Sequence, residues 1–220
     1  MNPYFTNPNN LLFEFNETML EAQRKAIFAV AIEIQKEEIK NLDLYLEKIS
    51  KAKKEFSEHN YENDANLAYC LFTLAEIIQL ELKMLVSLKE DRMAEAWDIL
   101  ITCEYNLGTV IRNYPFDQDH LQNYLNRLID YQKTLFPKMM FHSYGGIVKE
   151  SHCSICKLDY GNCNHFKGKL YNGELCCRHI TEVQMEELSV VENPADKRCR
   201  AISIENNGEK IDVLTLRKII

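Results

Sequence analysis

Glycine and proline are scarce in the first two thirds of this 220-residue sequence. Gly108 is the only glycine before residue 145, and no proline occurs between Pro8 and Pro115. Both residues interrupt helices and mark turns, so their scarcity indicates helical structure. We therefore expect long helices in this part of the chain.

Long apolar runs are also missing. The run "AIFAVAI" at residues 26–32 is soon broken by Glu33 and Lys36, well short of the roughly 20 residues that a membrane span needs. The first ten residues lack the basic start and the apolar stretch of a secretory signal. We expect a protein without a transmembrane helix in the reducing cytosol, where clustered cysteines bind metal or do redox chemistry rather than form disulfides.

Motifs of several enzyme classes are absent from the sequence. It has no Gly-rich phosphate loop, GxSxG elbow, HExxH pair, kinase-type signature or zinc-deaminase pattern. We therefore predict no catalytic residues and expect a protein that is not an enzyme.

Charge is distributed unevenly along the chain. Residues 1–140 carry 15 basic and 22 acidic residues, whereas residues 141–220 carry 11 of each, so the whole net charge of −7 lies in the first part. An acidic surface repels nucleic-acid backbones. Only the second part therefore remains a candidate for nucleic-acid binding.

Apolar residues recur at three- and four-residue steps in four segments, and 46% of the chain is apolar, which is enough for a buried core. The first predicted helix begins after a capping Asn16 and runs to Phe56, with a break near Asn41. The apolar face of the second helix comprises Leu67, Leu71, Leu74, Ala75, Ile78, Leu82 and Leu85.

Acidic caps and prolines bound the last two predicted helices. Asp91 starts the third, which ends at Pro115, and Asp117 caps the fourth, which ends at Pro137. Their inward residues are Trp97, Leu100, Ile101, Leu107 and Ile111, then Leu121, Leu125, Leu128 and Leu135. Short loops between the helices predict a four-helix bundle, and a tetratricopeptide-like array is disfavoured because no second copy occurs at a 34-residue period.

The sequence changes character near residue 140, since six of the seven glycines lie beyond it. We predict a helical bundle domain at residues 1–140 and a Cys/His-rich zinc-binding domain with short β-strands at residues 141–220. Strands are expected at residues 185–191, 198–204 and 209–219. The predicted fold class is mainly α with a small α+β or β-rich zinc module.

Five of the eight cysteines and three of the six histidines lie within residues 152–179. The CxxC pair lets two sulfurs meet one ion, and a CxH pair and a later cysteine follow it. Thiolate and imidazole together favour zinc. Five candidate ligands compete for four positions around one structural ion: Cys153, Cys156, Cys163, His165 and Cys176.

Spacing alone leaves the choice among these donors open. We favour Cys153, Cys156, His165 and Cys176, with Cys163 as the replacement for His165, and Cys177 and His179 come next. A catalytic zinc would leave one position open, whereas these donors close the site, so a structural ion is expected. A thioredoxin-like redox site is disfavoured because "KLDYGNC" after the CxxC pair is turn-like rather than helical.

Structural roles are expected for Tyr171 and for the histidines and cysteines that lie apart from the donors. Tyr171, in a predicted hairpin between Gly168 and Gly173, is expected to pack over the metal site. Isolated histidines and helical cysteines are expected in the core or at helix ends, namely His120, His142, Cys70 and Cys103.

The segments "CSIC", "CNH", "GKLYNGELC" and "ELSVVENPADK" resemble a family of uncharacterised bacterial proteins with a helical amino-terminal half and a cysteine-rich carboxy-terminal half. Similar CxxC, CxH and GxxYxGxxC segments occur in phage structural and prohead-maturation proteins. The likeness covers about the last 130 residues. It implies a zinc site at the five donors above and a bacterial setting, such as a defence or mobile-element system. Lys157 stands where those proteins usually have glycine, which predicts a weaker turn there.

Three functions follow from this reading. The leading one is a non-enzymatic adaptor that binds a protein partner or itself. The second is a nucleic-acid-binding regulator that uses basic residues of the zinc module, namely Lys167, Lys169, Arg178, Lys197, Arg198 and Arg200. The third is a metal-dependent hydrolase in which Cys163 or His165 acts beside an open zinc.

Overall fold

The computed structural model describes residues 9–219, in which five helices precede a smaller β-rich part. The helices are α1 (Asn9–Lys25), α2 (Ile32–Glu58), α3 (Glu62–Lys89), α4 (Met93–Asn113) and α5 (Asp119–Leu135). The strands are β1 (Phe141–Cys153), β2 (Leu170–Tyr171), β3 (Glu174–Leu175), β4 (Arg178–Val191), β5 (Ser203–Asn206) and β6 (Glu209–Asp212). The predicted fold class, mainly α with a small β module, is confirmed, with five helices in place of four.

The predicted first helix is in fact two helices, and the break follows Lys25 instead of lying near Asn41. Asn16 lies inside α1 and does not cap it, and Asn41 lies inside α2. The buried side chain of Gln35 donates to the carbonyl oxygens of Lys25 and of the second residue after it, at 2.9 and 3.0 Å. A side chain from the next helix therefore provides hydrogen bonds to free carbonyl oxygens at the end of α1, where the sequence has no glycine or proline.

Helices α2 and α3 end at left-handed residues that are not glycine. Asn60 (φ 57°) follows α2 and Asp91 (φ 60°) closely follows α3. In both turns the next amide donates to the carbonyl oxygen five residues back, at 2.9 and 2.8 Å, as in a Schellman motif. Asp91 therefore belongs to the end of α3 and does not start α4 as predicted. Its carboxylate pairs with Arg217.

Helix α3 lies at the centre of the helical part and packs against α1, α2 and α4. The side chain of Trp97 on α4 is fully buried, with its ring 5.1 Å from that of Phe136 and 6.3 Å from that of Phe141. The same core continues into the β-rich part. Its members there are Phe141, Leu170, Val213 and Leu214.

Strands β1 and β4 form a long antiparallel ribbon, of which the sequence predicted only one end. The pairing runs from Phe141 opposite Val191 at the base to Cys153 opposite Arg178 at the tip. Three register shifts interrupt it and bend the ribbon. The strand predicted at residues 185–191 is the last half of the 14-residue β4, and β1 was not predicted.

Two short hairpins complete the β-rich part. The turn between β2 and β3 is Asn172–Gly173, and the turn between β5 and β6 is Asn207–Gly208. All four residues have positive φ angles, between 47° and 80°, as a type I′ turn requires. The strands predicted at residues 198–204 and 209–219 are confirmed only in part, because β5 begins at Ser203 and β6 ends at Asp212, with four residues each.

The base of the ribbon is attached to α4 and α5. The Trp97 indole N–H donates to the carbonyl oxygen of Lys197 at 3.1 Å. The Lys197 ammonium in turn donates to Glu104 at 2.6 Å and to Gln132 at 2.7 Å. On the outer edge of β1, the amide of His142 donates to the carbonyl oxygen of Cys199, two residues after Lys197, at 2.8 Å. The segment around Lys197 thus holds the base of the ribbon against the helices.

The loop at the tip is attached to the opposite ends of the helices. The side chain of Asn113, at the end of α4, donates to the Gly168 carbonyl at 2.8 Å and accepts from the Leu170 amide at 3.1 Å. The Gly173 amide donates to the side chain of Asn66 at 2.7 Å. A Cβ atom at position 173 would lie 3.2 Å from the Ala65 side chain. The β2–β3 hairpin therefore sits directly on the start of α3.

The change from helices to strands falls between Leu135 and Phe141, next to the predicted boundary at residue 140. That the two parts are separate domains stays a prediction. None of the helices in residues 9–219 has the length and apolar character to span a bilayer. The predicted lack of a secretory signal concerns the start of the chain, and residues 1–8 lie outside the described residues.

We expect Asn113→Ala to lower the free energy of unfolding by about 2 kcal/mol, because it removes the two hydrogen bonds to the tip loop as well as one to the Thr109 carbonyl oxygen on its own helix. Urea denaturation measures this loss. Asn106→Ala on the same helix is the matched control, since that side chain makes a single 3.4 Å bond to Glu76. Equal effects of the two substitutions would show that Asn113 does not anchor the loop.

Candidate metal centre

The Cys/His cluster lies at the tip of the ribbon, where three chain segments meet. Strand β1 ends at Cys153, and the following turn carries Cys156. A loop after the 3-10 helix at residues 160–162 carries Cys163 and His165, and Cys176 follows β3. The antiparallel ribbon brings the segments together because β4 leaves the tip directly opposite the end of β1.

Four donor atoms of this cluster come close to one another. The sulfurs of Cys153, Cys156 and Cys163 and a ring nitrogen of His165 all lie within 4.8 Å of each other. The Sγ atoms of Cys153 and Cys176 are 3.8 Å apart, and Cys163 Sγ lies 3.8 Å from His165 Nδ1. A tetrahedral ion with metal–sulfur bonds of about 2.3 Å would place neighbouring sulfurs about 3.8 Å apart. The group can therefore hold a metal ion.

Backbone amides point at two of the sulfurs. The amide of Ile155 lies 3.4 Å from Cys153 Sγ, and the amide of His165 lies 3.2 Å from Cys163 Sγ. In both cases the donor is two residues after the cysteine. Such hydrogen bonds favour the thiolate, which is the form that binds metal. The local backbone thus fits metal-bound cysteines at both positions.

Lys157 closes the turn that holds the CxxC pair. Its amide donates to the Cys153 carbonyl oxygen at 3.0 Å, and its φ angle is 62°. Lys157 adopts the left-handed conformation itself, so the turn forms without glycine, and the expectation that lysine weakens it stays a prediction. The cost is steric, since a Cβ atom crowds the backbone there.

The electrostatics of the cluster favour a cation. Burial would raise the pKa of the Cys153 thiol, but the amides of Cys156 and Ile155 and the adjacent thiols outweigh burial and lower this pKa to about 6. Burial and the neighbouring Cys153 raise the pKa of Cys176 to about 11. Burial likewise raises the pKa of Cys163. A cation among these sulfurs would offset the repulsion that keeps the later thiols protonated.

Two tyrosines hold the loop around the cluster. The Tyr171 ring packs edge-on against His165 with 4.6 Å between ring centroids, and its hydroxyl accepts from the Phe166 amide at 2.9 Å. The Tyr160 hydroxyl accepts from the Lys167 amide at 2.9 Å. Tyr171 therefore packs over the site as predicted, and it fixes the orientation of His165.

Sequence reasoning found the donors but missed one residue that joins the two sides of the cluster. Ser154 donates through its hydroxyl to the Leu175 carbonyl oxygen at 3.2 Å and accepts from the Cys177 amide at 2.7 Å. A serine in a turn carries no signal of such a role. Of the two reserve candidates, Cys177 is exposed, and His179 lies on β4 opposite His152, outside the four-donor group.

The local fold differs from that of a thioredoxin-like redox site. A strand does precede the CxxC pair, but a turn and the short 3-10 helix follow it. A redox pair of that type uses a following α-helix to stabilise its thiolate. The turn-like character predicted for "KLDYGNC" is therefore confirmed.

The six basic residues considered for nucleic-acid binding are not all free. Lys197 is engaged by Glu104, and Arg198 forms an ion pair with Asp196 at 2.8 Å. Arg178 donates to the Ser151 hydroxyl at 2.9 Å. Much of the positive charge that suggested nucleic-acid binding is thus already paired or hydrogen-bonded within the chain.

A cleft of about 550 Å³ lies away from the cluster, between α1, α3 and α5. Its charged side chain is Arg127, which donates to both carboxylate oxygens of the buried Glu81, at 3.0 and 2.8 Å. Tyr124 donates to the same carboxylate at 2.6 Å. These groups satisfy one another, so the charge of Arg127 is engaged within the chain.

The fold and the cluster define a mainly helical protein with a Cys/His site that can hold a metal ion. No protein-family model, curated protein or solved structure matches the chain. The resemblance to bacterial and phage proteins therefore stays a hypothesis.

We expect Lys157→Gly to raise the free energy of unfolding by about 0.5 to 1 kcal/mol, because glycine tolerates a φ of 62° without steric cost. Denaturant unfolding at fixed free zinc measures the gain. Lys167→Gly is the control and should destabilise the chain slightly through backbone entropy. A loss of stability at both positions would contradict the strain at Lys157.

Proposed function

We propose that this protein is a non-enzymatic adaptor of the reducing cytosol, in which one structural zinc ion holds an exposed β-ribbon in position. The observation that carries the proposal is the placement of the Cys/His cluster. It lies at the joint between the ribbon tip and the loop that α3 and α4 anchor through Asn66 and Asn113. An ion at this joint fixes the ribbon relative to the helices.

The donor set supports zinc as the ion. Three or more thiolates with an imidazole suit zinc better than magnesium, calcium or manganese, which prefer oxygen ligands. Four protein donors leave no position for a reactive water, which supports a structural role over the hydrolase alternative. Structural zinc contributes roughly 10 to 16 kcal/mol in finger-like peptides, enough to order a small β-rich part.

Three cysteines form the constant part of the proposed ligand set: Cys153, Cys156 and Cys163. Cys163 belongs to this set because its Sγ accepts a backbone N–H, as Cys153 Sγ does, and because both sulfurs lie within 4.8 Å of the other donors of the group. His165 is the preferred fourth ligand because it belongs to the mutual four-donor group. Cys176, 3.8 Å from Cys153, is the competing donor for that position.

Metal analysis of the purified chain tests this assignment. We expect one zinc per chain in native mass spectrometry, and at least about a tenfold loss of zinc affinity in Cys156→Ala, because a missing thiolate opens the site. Cys177→Ala is the matched control, since this exposed neighbour of Cys176 lies outside the four-donor group. Comparison of His165→Ala with Cys176→Ala identifies the fourth ligand. A zinc-free folded chain would refute the zinc assignment.

Removal of zinc by a chelator should leave the helical circular dichroism largely unchanged, because the core around α3 and Trp97 does not depend on the cluster. Amide hydrogen exchange in β1, β2, β3 and β4 should increase, since the ion then no longer restrains the tip. Restoring zinc should reverse the change. Unfolding of the helices on chelation would contradict a role confined to the joint.

The nucleic-acid alternative has less support than the adaptor. Of its basic residues, Lys197 and Arg198 are paired with acids, and the helical part carries the whole net negative charge. A bacterial defence or mobile-element setting rests on the resemblance alone and is a hypothesis about context.

A further inference from the structure

The middle of the ribbon has two chemically different faces. Side chains of directly paired residues lie on the same face of an antiparallel ladder, and successive residues alternate. Among the paired residues, the register therefore defines a neutral face, composed of His142, Tyr144, Gly146 and Val148 on β1 and Val183, Met185, Leu188 and Val190 on β4. Glu186, between Met185 and Glu187, is unpaired at the first register shift and belongs to neither set. The opposite face carries Ser143, Gly145, Ile147, Gln184, Glu187 and Ser189.

The neutral face is apolar and exposed. The fractional exposures are 64% for Tyr144, 58% for Leu188, 64% for Val190, 52% for Met185 and 44% for Val183. Together these five side chains present about 500 Å² of surface, near the upper end for the largest apolar patch of a monomer. A two-stranded ribbon open on both faces is also marginally stable by itself.

The apolar surface continues past the base of the ribbon. Met140, one residue before β1, is 58% exposed and lines a small cleft together with Ala201, Ile204 and Leu216. Ile204 and Leu216 are 44% and 66% exposed. With these residues the surface approaches the roughly 800 Å² that each partner contributes to a standard protein interface.

Charge fits a second copy as the occupant. None of the eight paired residues of the neutral face is acidic or basic, so away from Glu186 at the register shift two such faces can meet without like-charge repulsion, although each chain carries a net charge of −7. The opposite face could not do this, because Glu187 points from it. A self-complementary face of sufficient area is the requirement for a two-fold symmetric interface.

We propose that two copies of this chain pack through their neutral faces, ribbon against ribbon. This inference rests on the proposed interaction role and names its partner as a second copy. The ribbons stack face to face at the spacing of packed sheets, with Tyr144 and Leu188 at the centre. The glutamates of the opposite face stay in solvent on the outside of the dimer.

Sedimentation equilibrium of the zinc-loaded chain tests the proposal. The wild-type chain is expected to sediment at twice its 25.8 kDa mass, and Leu188→Lys to weaken association at least about 30-fold, because a charge is buried in an apolar interface. Ile147→Lys is the matched control: it introduces the same charge at a 46% exposed position on the opposite face and should leave the dimer intact.

Zinc content and circular dichroism of each variant show whether it is folded. A zinc-bound wild-type monomer at about 100 µM would overturn the inference and leave the zinc assignment standing. Equal weakening by Leu188→Lys and Ile147→Lys would also overturn it, since association would then not depend on the neutral face. A zinc-free dimer that Leu188→Lys dissociates would support this interface and refute the zinc assignment.

Discussion

A two-stranded ribbon cannot hold its own position in water, and the arrangement of the β-rich part depends on its attachment at both ends. At the base, Trp97 and the Lys197 segment bind it to α4 and α5. At the tip, the Cys/His cluster gathers three segments, and Asn113 ties their loop to the end of α4. About 40 Å of strand connects the two attachments, against about 24 Å of helix between Trp97 and Asn113. The two attachments thus fix the ends, while the middle of the ribbon remains exposed.

Helices were predictable because the sequence signal for a helix is local. Their predicted boundaries were wrong where the helix end depends on a distant residue or on a residue that does not usually signal an end. The apolar stripe of α3 is contained in the sequence at fixed steps. The end of α1 depends on Gln35 from the next helix, and the ends of α2 and α3 use Asn60 and Asp91 in a conformation usually signalled by glycine. A strand such as β1, whose partner begins 25 residues after it ends, leaves no comparable local pattern.

The candidate site was likewise predictable from the sequence only in part. Donor identity follows from spacing, so all five donors could be named from the sequence, and the structure brings four of them into one group. The choice among donors depends on how β1 and β4 pair, which is not encoded near the cysteines. It also depends on how Tyr171 orients His165, of which the sequence predicted only that Tyr171 packs over the site. Ser154 and the left-handed Lys157 carry no residue-type signal, because their roles come from the turn that contains them.

The two proposals are linked by thermodynamics because the cluster and the neutral face belong to the same ribbon. If zinc restrains the tip, it reduces the conformational entropy that the ribbon must lose on packing against a second copy. Zinc then strengthens association, and by reciprocity association strengthens zinc binding by the same factor. The face itself begins at His142 beside the base attachment, which contains no donor of the four-donor group. The coupling should therefore be partial, since the base keeps half of the ribbon in place without metal.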